Sequence, residues 1–320
     1  MINIDLLTEN VINGKQITKN EAMDLCKQPL DLICKCADSI RRHFCSNQFD
    51  ICTIVNAKSG KCSENCKFCA QSAHNYTGVN TYPLLSEEEI LSDAKKVKEQ
   101  GVYRYSIVTS GRCLSDVEVE EVCGIVKRIC KELGISVCVS CGLLNAEQYQ
   151  KLKNAGVTRI HNNLETSKNN FQNICTTHSF DDKIRAIKAA QSVGLTVCSG
   201  GIMGLGETWE DRIDMAIALR ELGIKSIPVN ILNPICGTPL ENQKKLTEDE
   251  IRRIIAIYRF ILPDAFIRLA GGRGLIKDKG KSCFKSGANA AISGDMLTTQ
   301  GITVQKDKEL LKQLGYEVKK

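Results

Sequence analysis

The chain has 320 residues, 42% hydrophobic and 25% charged, which supplies one large core or two ordinary ones and excludes a disordered, collagenous or coiled-coil protein. Its net charge of +6, from 43 basic and 37 acidic residues spread along the chain, lacks the basic block of a nucleic-acid footprint. No apolar run approaches the roughly 20 residues of a membrane helix, and Met1 to Asn13 do not follow the basic-then-apolar order of a secretory signal; a cytoplasmic protein with no nucleic-acid and no membrane partner is expected.

Residues 1–45 read as a helical preface (EAMDLC, DLICKCADSIRRHF). From there, short apolar, β-branched segments alternate with longer amphipathic ones. Strands are predicted at 51–57, 103–109, 135–141, 157–163, 195–201, 226–232, 264–270 and 289–294. Helices are predicted at 86–100, 116–133, 145–155, 181–193, 208–222 and 247–262, several opening at Ser, Thr, Asn or Asp and ending at Gly101, Gly134, Gly156, Gly194 or Gly223. A last helix and an exposed tail are expected over 301–320.

Strict βα alternation demands a mainly parallel sheet, because each strand returns through a crossover helix to the same edge. Eight units in about 250 residues fit a single (β/α)8 TIM-type barrel domain over 46–300 with an N-terminal helical extension, whose reactive groups sit at the carboxyl ends of the strands. An open doubly wound sheet is the alternative, although no G-x-G-x-x-G follows the first strand.

Cysteine is over-represented, at 17 residues beside only 4 His and 1 Trp. An odd count at irregular spacing in a large domain without a signal reads as reduced thiols, some for metal or sulfur chemistry and most as small core residues. The first strand runs into KSGKCSENCKFCAQSAHNYTG, which holds Cys62, Cys66 and Cys69. Three thiolates on a Gly-led loop can converge on one metal centre, and no fourth Cys or His stands nearby at zinc-finger spacing. A zinc or redox triplet stays open beside a four-iron cluster with one iron free for a small chelating molecule.

The interior pattern is unusual as well. Alternation along strands puts Asn163 and Glu165 on one face, and Cys198 and Gly200 on one face. Converging strands would bring Cys138, Asn163, Cys198, Asn230 and Arg268 into one interior. Burying such groups unpartnered costs about 1–3 kcal/mol each, so a ligand and a metal centre are expected inside.

The spacing C-x-x-x-C-x-aromatic-C resembles the signature of radical S-adenosylmethionine enzymes. By that resemblance Cys62, Cys66 and Cys69 hold a 4Fe–4S cluster whose free iron binds S-adenosylmethionine, and Phe68 lies against its adenine. CAQSAHNYTG, HNNLETS, TTHSFDDKI, VCSGGIMGLGET, VNIL with GTPL, IRLAGGR and CFKSGAN are further similar to the biotin synthase family. This resemblance, from about Ile54 to Gly315, implies sulfur insertion into dethiobiotin from an auxiliary iron–sulfur cluster, of 2Fe–2S type in the family. It also implies a low-potential electron donor such as flavodoxin or ferredoxin, and a homodimer. Cys138, Cys198 and Arg268 match three of four auxiliary-cluster ligands, with Cys198 and Arg268 closest to the chemistry, while Asn163, Glu165 and Asn230 match positions facing the ureido ring and the cofactor. The family's aspartate is Glu165 here.

The fourth family ligand is a cysteine, and its position holds Ser106, whose hydroxyl is a far weaker iron ligand. Either Ser106 binds as an alkoxide, or another cysteine substitutes, or the centre is of another, larger type using one or two of Cys113, Cys141, Cys175 and Cys236. Cys141, three residues from Cys138, has the wrong parity unless the strand has ended. The density of thiols suggests a strict anaerobe. Other radical barrels, of hydrogenase-maturation or methylornithine-forming type, and a non-enzymatic iron–sulfur carrier or sensor are the competing readings.

Overall fold

A computed structural model describes residues 2–318. The preface is three helices, α1 (Ile4–Ile12), α2 (Lys19–Leu25) and α3 (Leu30–Cys45), followed by β1 (Gln48–Lys58). Then come α4 (Glu87–Glu99), β2 (Arg104–Thr109), α5 (Asp116–Leu133), β3 (Ser136–Ser140), α6 (Ala146–Ala155), β4 (Val157–His161), the short α7 (Phe171–Ile174) and α8 (Phe180–Ser192). The second half holds β5 (Thr196–Cys198), β6 (Gly201–Met203), α9 (Trp209–Glu221), β7 (Ser226–Ile231), α10 (Glu248–Ile261), β8 (Phe266–Leu269), the short α11 (Lys281–Phe284), β9 (Ala290–Ile292), α12 (Val304–Gln313) and β10 (Glu317–Val318).

The strands pair in parallel in the order β1-β2-β3-β4-β5-β7-β8-β9, and β9 pairs back onto β1 through Asp50↔Ala290 and Cys52↔Ile292. This closes a TIM-type (β/α)8 barrel and removes the open-sheet alternative. No helix among the described residues is long and apolar enough to cross a membrane.

Local sequence explains why the helices start where they do. Ser86, Ser115, Asn145, Ser179, Thr208 and Thr247 each cap a barrel helix, and each side chain is answered three residues later by Glu89, Glu118, Gln148, Asp182, Asp211 or Glu250 in a capping box. Each box satisfies two backbone N–H groups that the helix leaves free, and a capping side chain contributes about 1 kcal/mol. Gly134 and Gly156 end α5 and α6 in the left-handed region, at φ 62° and 112°, which costs glycine no Cβ clash. Along β2, Tyr105 and Ile107 pack outward under the helices, whereas Arg104, Ser106 and Val108 line the interior.

Two expectations are corrected. The strand predicted over 195–201 is broken at Ser199 and Gly200 into β5 and β6. A side chain at Gly200 would stand 1.9 Å from the Pro228 carbonyl oxygen of β7, and the Gly200 N–H is taken by the Asn163 side chain at 3.1 Å rather than by a strand. We expect Gly200→Ala to destabilise the protein by at least about 3 kcal/mol through this backbone clash, read as a lowered urea midpoint; an unchanged midpoint would contradict the close packing. The second correction concerns the tail, which is not a free end: β10 pairs in parallel with Gln48 and Phe49. Tyr316 packs edge-on to Phe49 at 5.1 Å and donates its hydroxyl to the Phe284 carbonyl at 2.7 Å.

Candidate functional site

A cavity of about 410 Å³ opens at the carboxyl ends of the strands and descends into the barrel. Cys62, Cys66, Phe68 and Cys69 line its upper part, and Cys52, Ser106, Cys138, Cys198 and Arg268 its lower part, with Asn163, Glu165 and Asn230 also on its wall. The site residues implied by the family resemblance, with Ser106, therefore face one space.

The triplet loop is held by polar contacts to its own turn and to the segment after α7. Asn75 donates to the carbonyls of Cys66 and Cys69 at 3.2 and 2.8 Å, and Ser72 donates to the Glu64 carbonyl at 2.6 Å. The Asn65 side chain accepts from the Thr176 N–H at 2.9 Å, and Lys67 N–H donates to the Ile174 carbonyl at 3.0 Å. Glu64 is buried and receives the Thr177 hydroxyl at 2.9 Å and the His178 ring. Such contacts fix the backbone from which the three thiols project. The Phe68 ring packs on the small apolar cluster of Ile174, Leu205 and Leu232 at the cavity rim.

On the wall, the Asn163 amide donates to a Glu165 carboxylate oxygen at 3.3 Å. Both lie past the end of β4, and Glu165 adopts φ 69°, so they meet through the loop geometry as well as through strand parity. Burial raises the Glu165 pKa, opposed by Lys183, His161 and the Asn163 amide. Asn230 is largely committed to the barrel itself: it donates to the Gly201 carbonyl at 3.1 Å and accepts from the Gly271 N–H at 2.9 Å.

The floor combines thiols with guanidinium groups. Arg268 is buried and donates to Asp50 at 2.6 Å and to the Cys52 sulfur at 3.2 Å. Asp50 also faces Arg104 and Arg159, each at 3.6 Å. Burial pushes Asp50 up, but Arg268, Arg104 and Arg159 outweigh it and hold the carboxylate below its ordinary range. The Nε groups of Arg104 and Arg159 are buried without a hydrogen-bond partner. Burial lifts the thiols of Cys52 to about 11 and Cys138 to about 12. At Cys198 burial is overcome by His161, Arg268 and Arg159, and the thiol is lowered to about 6.

The additional thiols fall elsewhere. Cys113 and Cys236 are exposed, and Cys141 is buried in the apolar core beside Thr109, as its parity implied. Cys175 stands with Cys66 and His178, their ligand atoms all within 4.8 Å of one another, and so belongs to the upper part of the site. The residues passed over in the sequence are Cys52, Asp50, Arg104, Arg159, His161 and Lys183. Extending the alternation backwards by two from Ser106 reaches Arg104, and backwards from Asn163 reaches His161 and Arg159; that signal was present.

The donor set fits iron–sulfur centres. Three thiols on one loop supply three iron ligands and leave a fourth position to a small molecule. The floor offers thiols within an excess of buried cations and unpartnered guanidinium N–H groups, which an anionic occupant would satisfy.

Comparison with known proteins agrees. Residues 57–219 match the Radical SAM superfamily model, and residues 228–317 match the Biotin and Thiamin Synthesis associated domain. The chain is 62% identical over 317 residues to biotin synthase of Brachyspira hyodysenteriae, covering 99% of this chain and 95% of that protein. It is 54% identical to biotin synthase of Akkermansia muciniphila, covering 98% of each. A solved methylornithine synthase superposes with a TM-score of 0.85 at 21% identity, covering 98% of this chain and 97% of that one; the likeness there is of fold alone. The chain belongs to the biotin synthase family of radical S-adenosylmethionine enzymes.

Proposed function

We propose that the chain inserts sulfur into dethiobiotin to close the thiophane ring of biotin. The observation that carries this reading is one cavity shared by the Cys62, Cys66 and Cys69 loop above and the thiol–guanidinium floor below. When bound, a 4Fe–4S cluster with S-adenosylmethionine supplies a 5′-deoxyadenosyl radical able to take hydrogen from a saturated carbon. Cys62, Cys66 and Cys69 hold that cluster, and Phe68 gives the adenine an apolar face. Asn163 and Glu165 present an amide and a carboxylate to the nucleoside and the ureido ring. Asn230 fixes the ends of β6 and β8, leaving one amide N–H for a ligand.

In the lower part of the cavity, Cys138, Cys198 and Arg268 would hold an auxiliary iron–sulfur centre, which would supply the sulfur. Met296 to Thr299 border the same cavity and shield a reactive radical from water. A reductant is required; flavodoxin or ferredoxin suits the role. The seventeen free thiols suit a reducing cytoplasm and an anaerobic host, and the enzyme works as a homodimer. Anaerobic incubation of the reconstituted protein with S-adenosylmethionine, reductant and dethiobiotin tests the reading. Biotin is the expected product; accumulation of 5′-deoxyadenosine without biotin would keep the radical chemistry and reject the substrate.

A further inference from the structure

The position where the family's fourth auxiliary thiol is expected holds Ser106, yet the floor does not lack a third thiol. Cys52, on the neighbouring strand β1, lines the same cavity as Cys138 and Cys198. The register pairs Ile54 with Ser106, so Cys52 lies on the same inward face two residues earlier. At about 3.3 Å per residue, that is roughly 6.6 Å towards the amino end of the strand.

Cys52 is buried, and its sulfur accepts from Arg268 at 3.2 Å. The charges at this level favour an anionic occupant. Arg268, Arg104 and Arg159 bring three positive charges against the single carboxylate of Asp50, and two of the guanidinium Nε groups find no acceptor. Buried cations without matching anions are costly; three thiolates bound to iron supply the missing negative charge. Ser106 pairs with Cys138 in register across β2 and β3 and lines the same cavity, where its hydroxyl can donate a hydrogen bond to the Cys138 sulfur.

We propose that Cys52 is a ligand of the auxiliary iron–sulfur centre, completing with Cys138, Cys198 and Arg268 the set that Ser106 leaves short. The thiol has moved from the second strand to the first, and the centre sits correspondingly deeper in the barrel. This rests on the reading of the floor as an iron–sulfur site given above.

The test uses the full chain with Cys62, Cys66 and Cys69 all changed to alanine, so that bound iron and sulfide report the inner centre alone. After anaerobic reconstitution, iron, sulfide and the Mössbauer spectrum are compared in this parent and with Cys52→Ser, Ser106→Ala or Cys141→Ser added. We expect Cys52→Ser to lower bound iron at least fourfold while the other two keep the parent's iron and spectrum. Circular dichroism confirms folding, and adding Ser106→Cys to Cys52→Ser restores iron if the loss is one of ligation. Full iron with an unchanged spectrum in Cys52→Ser overturns the proposal and leaves the inner centre standing. A parent that binds no iron overturns both.

Discussion

Replacing Cys62 by alanine is expected to abolish 5′-deoxyadenosine formation, by at least 10³-fold, or about 4 kcal/mol in barrier. Cys62, Cys66 and Cys69 project from one loop into one cavity, and that loop is tied down by Asn65, Ser72 and Asn75. The loop offers three thiols for a cluster that must keep one iron open, so removing one leaves two protein ligands and no stable centre. The neighbouring Cys175 stands beside Cys66 and His178 rather than beside Cys62, and its thiol is hydrogen-bonded to His178 at 3.3 Å and to Asn65 at 3.4 Å, contacts it would have to give up to replace Cys62. Iron analysis should show the upper cluster missing and the inner one retained. Cofactor cleavage at the wild-type rate by Cys62→Ala would show that the triplet is not the radical centre.

The second large effect is on stability. Asp50 is the one carboxylate set against Arg268, Arg104 and Arg159 at the floor, among the described residues. Asp50→Ala strips the counter-charge from buried guanidinium groups, and breaking a buried pair in this way typically costs about 3–5 kcal/mol. The effect should be clearest in protein without clusters, as a fall in the urea midpoint. The pH dependence has a definite sign. A carboxyl group held below its usual range stabilises the fold above its unfolded value, about 3.9, and that contribution disappears as pH falls through the folded value. Wild-type protein should therefore lose stability in acid, whereas Asp50→Ala should show less of that loss. Equal acid profiles would contradict the role given to Asp50.

Much of the fold was legible because local signals agreed with it. The capping residues from Ser86 to Thr247 and the helix-ending glycines marked most helix boundaries to within a residue or two; the family resemblance placed Ser106 and Cys138 at the inner site, and parity turned Cys141 away from it. Two features escaped because they depend on distant strands. The break at Gly200 follows from the Pro228 carbonyl, and the docking of the tail follows from the free edge at Gln48 and Phe49. The triplet carried its own spacing and was readable directly. Cys52 was not, since a thiol within an apolar strand reads as core; only the closure of β9 onto β1 brings it beside Arg268.

In the proposed function, an inner centre in the barrel floor would give up its sulfur to a radical generated above it. Protein reconstituted with ³⁴S-labelled sulfide, freed of excess sulfide and allowed a single turnover with unlabelled dethiobiotin and S-adenosylmethionine, tests it most directly. Mass spectrometry should find ³⁴S in the biotin formed, together with loss of cluster sulfide from the protein. Biotin carrying sulfur of natural isotopic composition would contradict the account.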